Sequence, residues 1–315
     1  MSNSITVRYY CIIEKRYINP KDTTSSSSQN SELKKSCFEK NKQQRNDPTI
    51  KIPQSSHISI QYLKLSRMLY TSTRDSTLSC SFEEAICSGY APDGGLYVPK
   101  TLPNINSDIL KEWSSLAFPQ LAFQSLRMFI SPDEIPNSEL ENICQASFVK
   151  GFDDSVGSTI PVRQVGSGSS YIVELSHGPT FCFKDLGMRA TVNMLSFFAA
   201  KRQKCLTLVV STTGDTGPAC VQAVNDAANP FMTLLVHYPH GQISAFQRKQ
   251  LTTVRSPYVH VVTFQGGGDD MDLPIKNLQA TSGLKGNDKF TVCGVNSYNI
   301  GRPLVQLVHF VSQVL

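Results

Sequence analysis

The segment HGPTFCFKD, residues 177–185, places one lysine where its amine could act as a nucleophile. Lys184 follows a Gly-Pro turn and precedes a helix predicted from about Leu186. The helix dipole disfavours a cation there, and Phe181 and Phe183 would remove water from the amine, so the neutral form is favoured. A neutral lysine amine reacts readily with an aldehyde. An ordinary lysine at a helix start fits the same pattern, so both interpretations stay open.

The loop STTGDTG, residues 211–217, is a candidate anion site because it joins a predicted buried strand to a helix near Pro218. Ligands of open α/β sheets bind at this position, where loop amides and a helix N terminus face an anion. Hydroxyls of Thr212, Thr213 and Thr216 would add donors. The tripeptide D-T-G also occurs in aspartic proteases, but these need two such segments and the sequence has one. A plain tight turn is the remaining alternative.

A third polar segment, VNSYNIGR at 295–302, ends a strand-like run and precedes an apolar helix. It brings Asn296, Ser297 and Arg302 close together, and these side chains could line a cleft. The planar guanidinium of an arginine suits a phosphate or a carboxylate. The alternative is a helix-capping turn with an exposed arginine.

Residues 170–315 alternate between predicted strands and helices. YIVELS at 171–176 is the first strand candidate, and LTLVVST at 206–212 is a continuous apolar run of the kind found in strands buried on both faces. Strands separated by helices at this spacing are typical of a doubly wound parallel sheet. The predicted fold class is therefore α/β.

The preceding part, residues 68–150, is predicted to be mostly helical. Ser81 and Ser138 are each followed three residues later by a glutamate, which predicts a capping box at the start of two helices. Three regions result: a disordered basic leader at 1–67, a mostly helical subdomain at 68–165 and an α/β region at 166–315.

Charge and cysteine usage exclude several functional classes. Residues 1–67 contain 12 Lys and Arg against 5 Asp and Glu, whereas residues 68–315 contain 18 against 20, so no basic surface for nucleic acid is predicted in the folded part. The sequence contains no apolar run long enough to span a membrane. Nine cysteines without a C-x-x-C pair predict reduced thiols and no metal site. We therefore expect a cytoplasmic protein, with a mitochondrial leader as a weaker alternative.

Together and in this order, the segments resemble the threonine synthase family of pyridoxal-phosphate enzymes. HGPTFCFKD resembles the family's HGPT-x-x-FKD motif, STTGDTG its S-G-D-T-G loop, and VNSYNIGR its N-S-I-N-x-x-R segment. The resemblance begins at Met68, where MLYTSTRD and, further on, SGYAPDGGLYVP look like the family's opening. It covers 248 of the 315 residues and implies a fold-type II enzyme that uses pyridoxal 5′-phosphate.

The resemblance also implies roles for individual residues. Lys184 would bind the aldehyde of the cofactor and act as the catalytic base, with Phe183 beside the cofactor and Asp215 near its 3′ oxygen. The substrate would be held by two sets of residues: the loop residues Ser211, Thr212, Thr213, Gly214, Thr216 and Gly217, and the later residues Asn296, Ser297 and Arg302.

The implied activity is that of a lyase acting on a small phosphorylated amino acid. O-phosphothreonine or O-phosphohomoserine would give 2-oxobutyrate, ammonia and phosphate, or threonine, and the enzyme could be a homodimer. The family's glycine-rich loop for the cofactor phosphate lies in its second half, and this chain stops within an apolar helix. A truncated fold is therefore expected. The alternative function is that of an inactive binding or signalling protein, or of a gene-model fragment.

Overall fold

A parallel sheet with helices on both faces organises the part of the chain that the structure describes. This computed structural model describes residues 67–315 except 154, 156, 168–169, 269 and 282–289, so the predicted leader lies outside the described residues apart from Arg67. The strands are β1 (Tyr70–Ser72), β2 (Tyr97–Pro99), β3 (Val162–Val165), β4 (Ser170–Val173), β5 (Cys205–Ser211), β6 (Met232–Pro239), β7 (Val259–Phe264) and β8 (Phe290–Gly294). The helices are α1 (Phe82–Ser88), α2 (Ser107–Trp113), α3 (Phe118–Leu126), α4 (Asn137–Phe148), α5 (Lys184–Arg202), α6 (Thr216–Ala227), α7 (Ala245–Thr252), α8 (Asp272–Thr281) and α9 (Gly301–Val314).

The central sheet has the strand order β7-β6-β5-β8, and all its neighbouring strands are parallel. Strand β5 is buried on both faces, as its continuous apolar run predicts. Leu208 and Val210 join the large core that includes α5, α6 and α9. Val209 points the other way and packs with Ile275 of α8 and Val292 of β8. The sheet therefore has apolar cores on both faces.

The order of the strands reverses beside β5. From β5 the chain moves outward through β6 to β7, then crosses back to place β8 on the other side of β5. This is the doubly wound arrangement predicted from the sequence. Ligands of such sheets bind outside the carboxyl ends of the two strands that flank the reversal, which here are β5 and β8.

Within the described residues, helices α1 to α4 and a short antiparallel ribbon of β1 and β2 precede the β3–β4 hairpin, and α5 follows that hairpin before the sheet begins. The capping box predicted at Ser81 is confirmed, because Ser81 accepts from the Glu84 amide and Glu84 bonds back to Ser81. The one predicted at Ser138 is wrong, since α4 begins at Asn137 and its N-cap residue is Pro136. The strand predicted at 171–176 forms as β4, but it pairs with β3 in a separate antiparallel hairpin.

Candidate functional site

A cleft of about 840 Å³ lies beyond the carboxyl ends of β5 and β8 and brings the three polar segments together. All but one of the predicted site residues line it: Phe183, Lys184, Ser211, Thr212, Thr213, Gly214, Asp215, Thr216, Asn296, Ser297 and Arg302. The exception is Gly217, whose backbone N–H binds Thr212 Oγ1 at 3.0 Å. Gly217 therefore supports the loop without lining the cleft. The roles of all twelve residues toward a ligand stay predictions.

Lys184 forms an ion pair with Asp215 that joins the first two segments. Its Nζ donates to Asp215 Oδ2 at 3.1 Å and lies 4.2 Å from the centre of the Phe183 ring. The lysine side chain is 22% exposed, so its amine is partly shielded and still reachable from the cleft. Phe181 does not provide the expected shielding, because it has a φ of 60° and is 64% exposed.

Asp185, which directly follows Lys184, has a structural role at the start of α5. Helix α5 begins at Lys184, two residues earlier than predicted. Asp185 is fully buried and accepts bonds from the N–H and the Oγ1 of Thr180, at 2.8 and 2.7 Å. A Cβ on Gly178 would lie 2.5 Å from Asp185 Oδ2, so the turn needs glycine there. Asp185 therefore folds the turn onto the helix start and fixes the backbone of Lys184.

The loop after β5 leaves the carboxylate of Asp215 free for the lysine. Asp215 is the N-cap residue of α6, yet its side chain makes no capping bond. Thr212 takes that role, because its Oγ1 accepts from the N–H groups of Gly214 and Gly217 at 3.1 and 3.0 Å. Pro218 has no N–H that needs a partner. The Thr212 hydroxyl also donates to the Gly214 carbonyl at 3.1 Å, so it is engaged within the loop both as donor and as acceptor.

Gln247 is a cleft residue that the sequence analysis missed. Its Nε2 donates to Asp215 Oδ1 at 2.7 Å, while its Oε1 accepts from the N–H and hydroxyl of Ser244 at 3.3 and 2.9 Å. The bonds between Gln247 and Ser244 belong to a capping box at the start of α7. The Ser-x-x-Gln pattern could have located the helix start, but not its contact with Asp215.

Arg302 is a buried cation at the other side of the cleft. It is 2% exposed, and Nη1 donates to the Val295 carbonyl at 3.3 Å. Among the described residues its Nε has no hydrogen-bond partner, and the same is true of the buried Ser211 Oγ and Asn296 Oδ1. Burial lowers the pKa of the Arg302 guanidinium below its usual value. The exposed arginine considered from the sequence is therefore wrong, and a buried cation of this kind favours an anionic ligand.

Comparisons with known proteins identify relatives of this chain. Residues 69–148 match the family model described as the N terminus of threonine synthase. The chain is 37% identical to threonine synthase-like 2 of Xenopus laevis over 243 residues, which are 77% of this chain and 50% of that protein. The human threonine synthase-like 2 is also 37% identical, over 77% of this chain and 48% of that protein.

Two solved structures share the fold. Threonine synthase from yeast superposes with a TM-score of 0.66 at 33% identity, over 78% of this chain and 49% of that one. The threonine synthase from Brucella melitensis, described as bound to PLP, has a TM-score of 0.68 at 28% identity, over 78% of this chain and 51% of that one. The chain therefore matches the N-terminal half of threonine synthases in sequence and fold. It spans about half the length of the curated relatives it matches.

One wall of the cleft departs from the threonine synthase pattern given above. Tyr298 stands at the isoleucine position of N-S-I-N-x-x-R, and its ring stacks on Tyr90 with centroids 4.0 Å apart. Lys276 Nζ lies 5.0 Å from the centre of the Tyr90 ring. Burial raises the pKa of the Tyr298 hydroxyl above its usual value. The wall is thus aromatic, and single-sequence reasoning missed both tyrosines because they are far apart in the chain.

Neither a metal-binding cluster nor a membrane-spanning helix occurs in the described residues of this chain. There, histidine, cysteine, aspartate and glutamate side chains form no cluster of three that could hold a metal ion. Over the same residues, every helix is too short or too polar to cross a bilayer.

Proposed function

We propose that this chain carries the lysine-bearing part of a pyridoxal-phosphate site and acts in a threonine synthase-like lyase. The substrates would be O-phosphorylated hydroxy-amino acids, either O-phosphothreonine or O-phosphohomoserine. One observation carries the proposal: the Lys184–Asp215 ion pair lies in the same cleft as the buried Arg302. The Brucella melitensis relative described as bound to PLP supports the choice of cofactor.

The residues present fit the reactive end of that cofactor and the two anionic ends of such a substrate. Lys184 offers an amine to an aldehyde, with Phe183 beside it and Asp215 paired with it. Ser211 Oγ and Arg302 Nε are buried polar atoms without partners among the described residues. When bound, the cofactor would withdraw electrons from the carbon that carries the substrate amine.

The remaining steps belong to this chain's own residues. The loop amides at the N terminus of α6 and the hydroxyls of Thr213 and Thr216 would hold the substrate carboxylate. Lys184 Nζ would accept the proton from the substrate α-carbon, and Arg302 would hold the phosphate as it leaves. Loss of phosphate from the β-carbon of O-phosphothreonine, followed by hydrolysis, gives 2-oxobutyrate, ammonia and phosphate. Departure from the γ-carbon of O-phosphohomoserine requires a further proton shift.

The test is a trapping experiment on the full 315-residue chain. The purified protein is incubated with pyridoxal phosphate, reduced with borohydride and digested, and the modified lysine is identified by mass spectrometry. We expect the label on Lys184, and its loss in K184R. The control K111R removes a lysine whose side chain is 79% exposed and should leave the label unchanged.

Two outcomes would count against the proposal. Label spread over exposed lysines, with none on Lys184, would remove the cofactor site from this chain and favour the alternative of a non-catalytic binding protein. Specific labelling of Lys184 without release of phosphate from either substrate would limit the chain to cofactor binding.

A further inference from the structure

We infer that Gln247 is the positioning residue of the Lys184–Asp215 pair, an inference that rests on the proposed function of the same cleft. The two oxygens of the Asp215 carboxylate have different partners. Oδ2 accepts from Lys184 at 3.1 Å, and Oδ1 accepts from Gln247 at 2.7 Å. A carboxylate held at both oxygens has one orientation, so Gln247 fixes the direction in which Asp215 faces the amine.

The amide of Gln247 can face Asp215 only with its nitrogen. The Ser244 backbone N–H is a pure donor, and it points at Gln247 Oε1, so the oxygen must be on that side. Gly214 makes room for the amide, because a Cβ there would lie 2.7 Å from Gln247 Nε2. The bond from Nε2 to a carboxylate is charge-assisted and therefore among the stronger hydrogen bonds.

Without this bond Asp215 could turn away from the lysine. An aspartate at an N-cap normally accepts from the amides of its own helix. Here Thr212 already occupies the Gly217 amide, and Pro218 offers none, so the helix competes weakly for the carboxylate. Gln247 supplies the second donor that the helix does not, and keeps Oδ2 directed at Lys184.

Helix α7 contacts the lysine segment as well. One turn after Gln247, Gln250 Nε2 donates to the Thr180 carbonyl at 3.2 Å. Thr180 is the residue that binds Asp185 next to the catalytic lysine. One short helix therefore holds both loops that form the ion pair, and Gln247 is its contact with the carboxylate.

The test measures Lys184 without any cofactor. The full chain is methylated with formaldehyde and cyanoborohydride, and the rate at Lys184 is compared with that at the exposed Lys111 in the same sample. In Q247M the carboxylate is no longer held, so we expect Lys184 to react about fivefold faster relative to Lys111. D215N should give at least the same increase, and the double variant should match D215N, because Gln247 acts through Asp215.

Two variants separate positioning from helix capping. S244A removes the capping hydroxyl but keeps Gln247 and its bond to Asp215, so Lys184 should react at the wild-type rate although the melting temperature falls. Q222M is the matched control, because Gln222 Nε2 donates to Asp226 Oδ1 at 2.8 Å outside the cleft. It should leave the rate at Lys184 unchanged.

The outcomes distinguish this inference from the proposed function. A wild-type rate in Q247M, an increase in S244A equal to that in Q247M, or additive effects of Q247M and D215N would overturn the positioning role even if pyridoxal phosphate labels Lys184. The expected rates without labelling of Lys184 by pyridoxal phosphate would support the positioning role and refute the cofactor site.

Discussion

At the scale of single residues, the neighbouring Lys184 and Asp185 divide two tasks between them. The lysine faces the cleft, whereas the aspartate is buried and binds Thr180 twice. Burial raises the pKa of the Asp185 carboxyl above its usual value, while the hydrogen bonds from Thr180 act in the opposite direction. The backbone of the lysine is thus held by its neighbour's contacts, while its amine pairs with Asp215.

We expect D185N to destabilise the protein by about 1–3 kcal/mol, because an amide accepts with only one oxygen and must turn its Nδ2 donor toward the Thr180 hydroxyl, which then loses its acceptor. Thermal or urea unfolding measures the change. D75N is the surface control, because Asp75 accepts from the N–H and the Oγ1 of Thr77 with Oδ1 alone, an oxygen that an amide retains. An equal loss in both variants would show that burial of Asp185 is unimportant.

The second prediction concerns the replacement of Arg302, which should abolish the binding of phosphate without lowering the melting temperature. Because its guanidinium is buried without a carboxylate partner among the described residues, we expect R302M to unfold at the same or a higher temperature than the wild type. Inorganic phosphate should raise the melting temperature of the wild type and not of R302M.

The contrast for this prediction is Arg189, which is equally buried but bonds Asp226 and the carbonyls of Ser147 and Lys150. R189M should lose about 3–5 kcal/mol, because it leaves buried acceptors unpaired. If R302M were destabilised as much as R189M, Arg302 would be a structural residue and not an anion site.

At the scale of secondary structure, the two serine-glutamate pairs show the limit of local patterns. Both have capping-box spacing, but the box forms only at Ser81. Before Ser138 stand Pro136 and Asn137, and Pro136 is the N-cap residue, so the helix starts two residues earlier than a cap at Ser138 requires. A pattern of four residues cannot decide which of several nearby residues becomes the N-cap.

S81A should therefore lower the free energy of unfolding by about 1 kcal/mol, whereas S138A should change it by less than about 0.5 kcal/mol. Ser81 accepts from the Glu84 amide at 3.1 Å, while Ser138 is exposed and lies inside the first turn of α4. The measurement is urea unfolding of both variants beside the wild type. Equal losses would contradict the assigned helix start.

At the scale of the whole molecule, the order of strands and helices predicted the site better than local chemistry did. A doubly wound sheet requires the segments after β5 and β8 to meet, and the structure places the loop at 211–217 next to Arg302 in this way. Gln247, Tyr90 and Tyr298 were missed, because each reaches the cleft through packing that no spacing in the sequence encodes. The strand candidate at 171–176 was counted with the parallel sheet for the same reason, whereas β4 pairs with β3 in a separate hairpin.

Helix α9 packs against α3 and α5 and so connects the helical part of the chain to the sheet. It contains a buried histidine, His309, which makes the stability of the protein depend on pH. Burial lowers the pKa of His309 to about 4, and its Nδ1 has no hydrogen-bond partner among the described residues. The unfolded chain has a histidine pKa of about 6.5, so between these values it binds more protons than the folded chain. This contribution to stability is complete above about pH 6.5 and is lost as the pH falls toward 4.

We therefore expect the wild type to lose up to about 3 kcal/mol of unfolding free energy from this group between pH 7 and pH 4, and H309L to lose correspondingly less. Urea unfolding at several pH values measures both slopes. The exposed His260 of β7 gives the matched control, because H260L should keep the wild-type slope. If H309L and the wild type lost stability in parallel, protonation of His309 would not be what weakens the junction of α9 with α3 and α5 in acid.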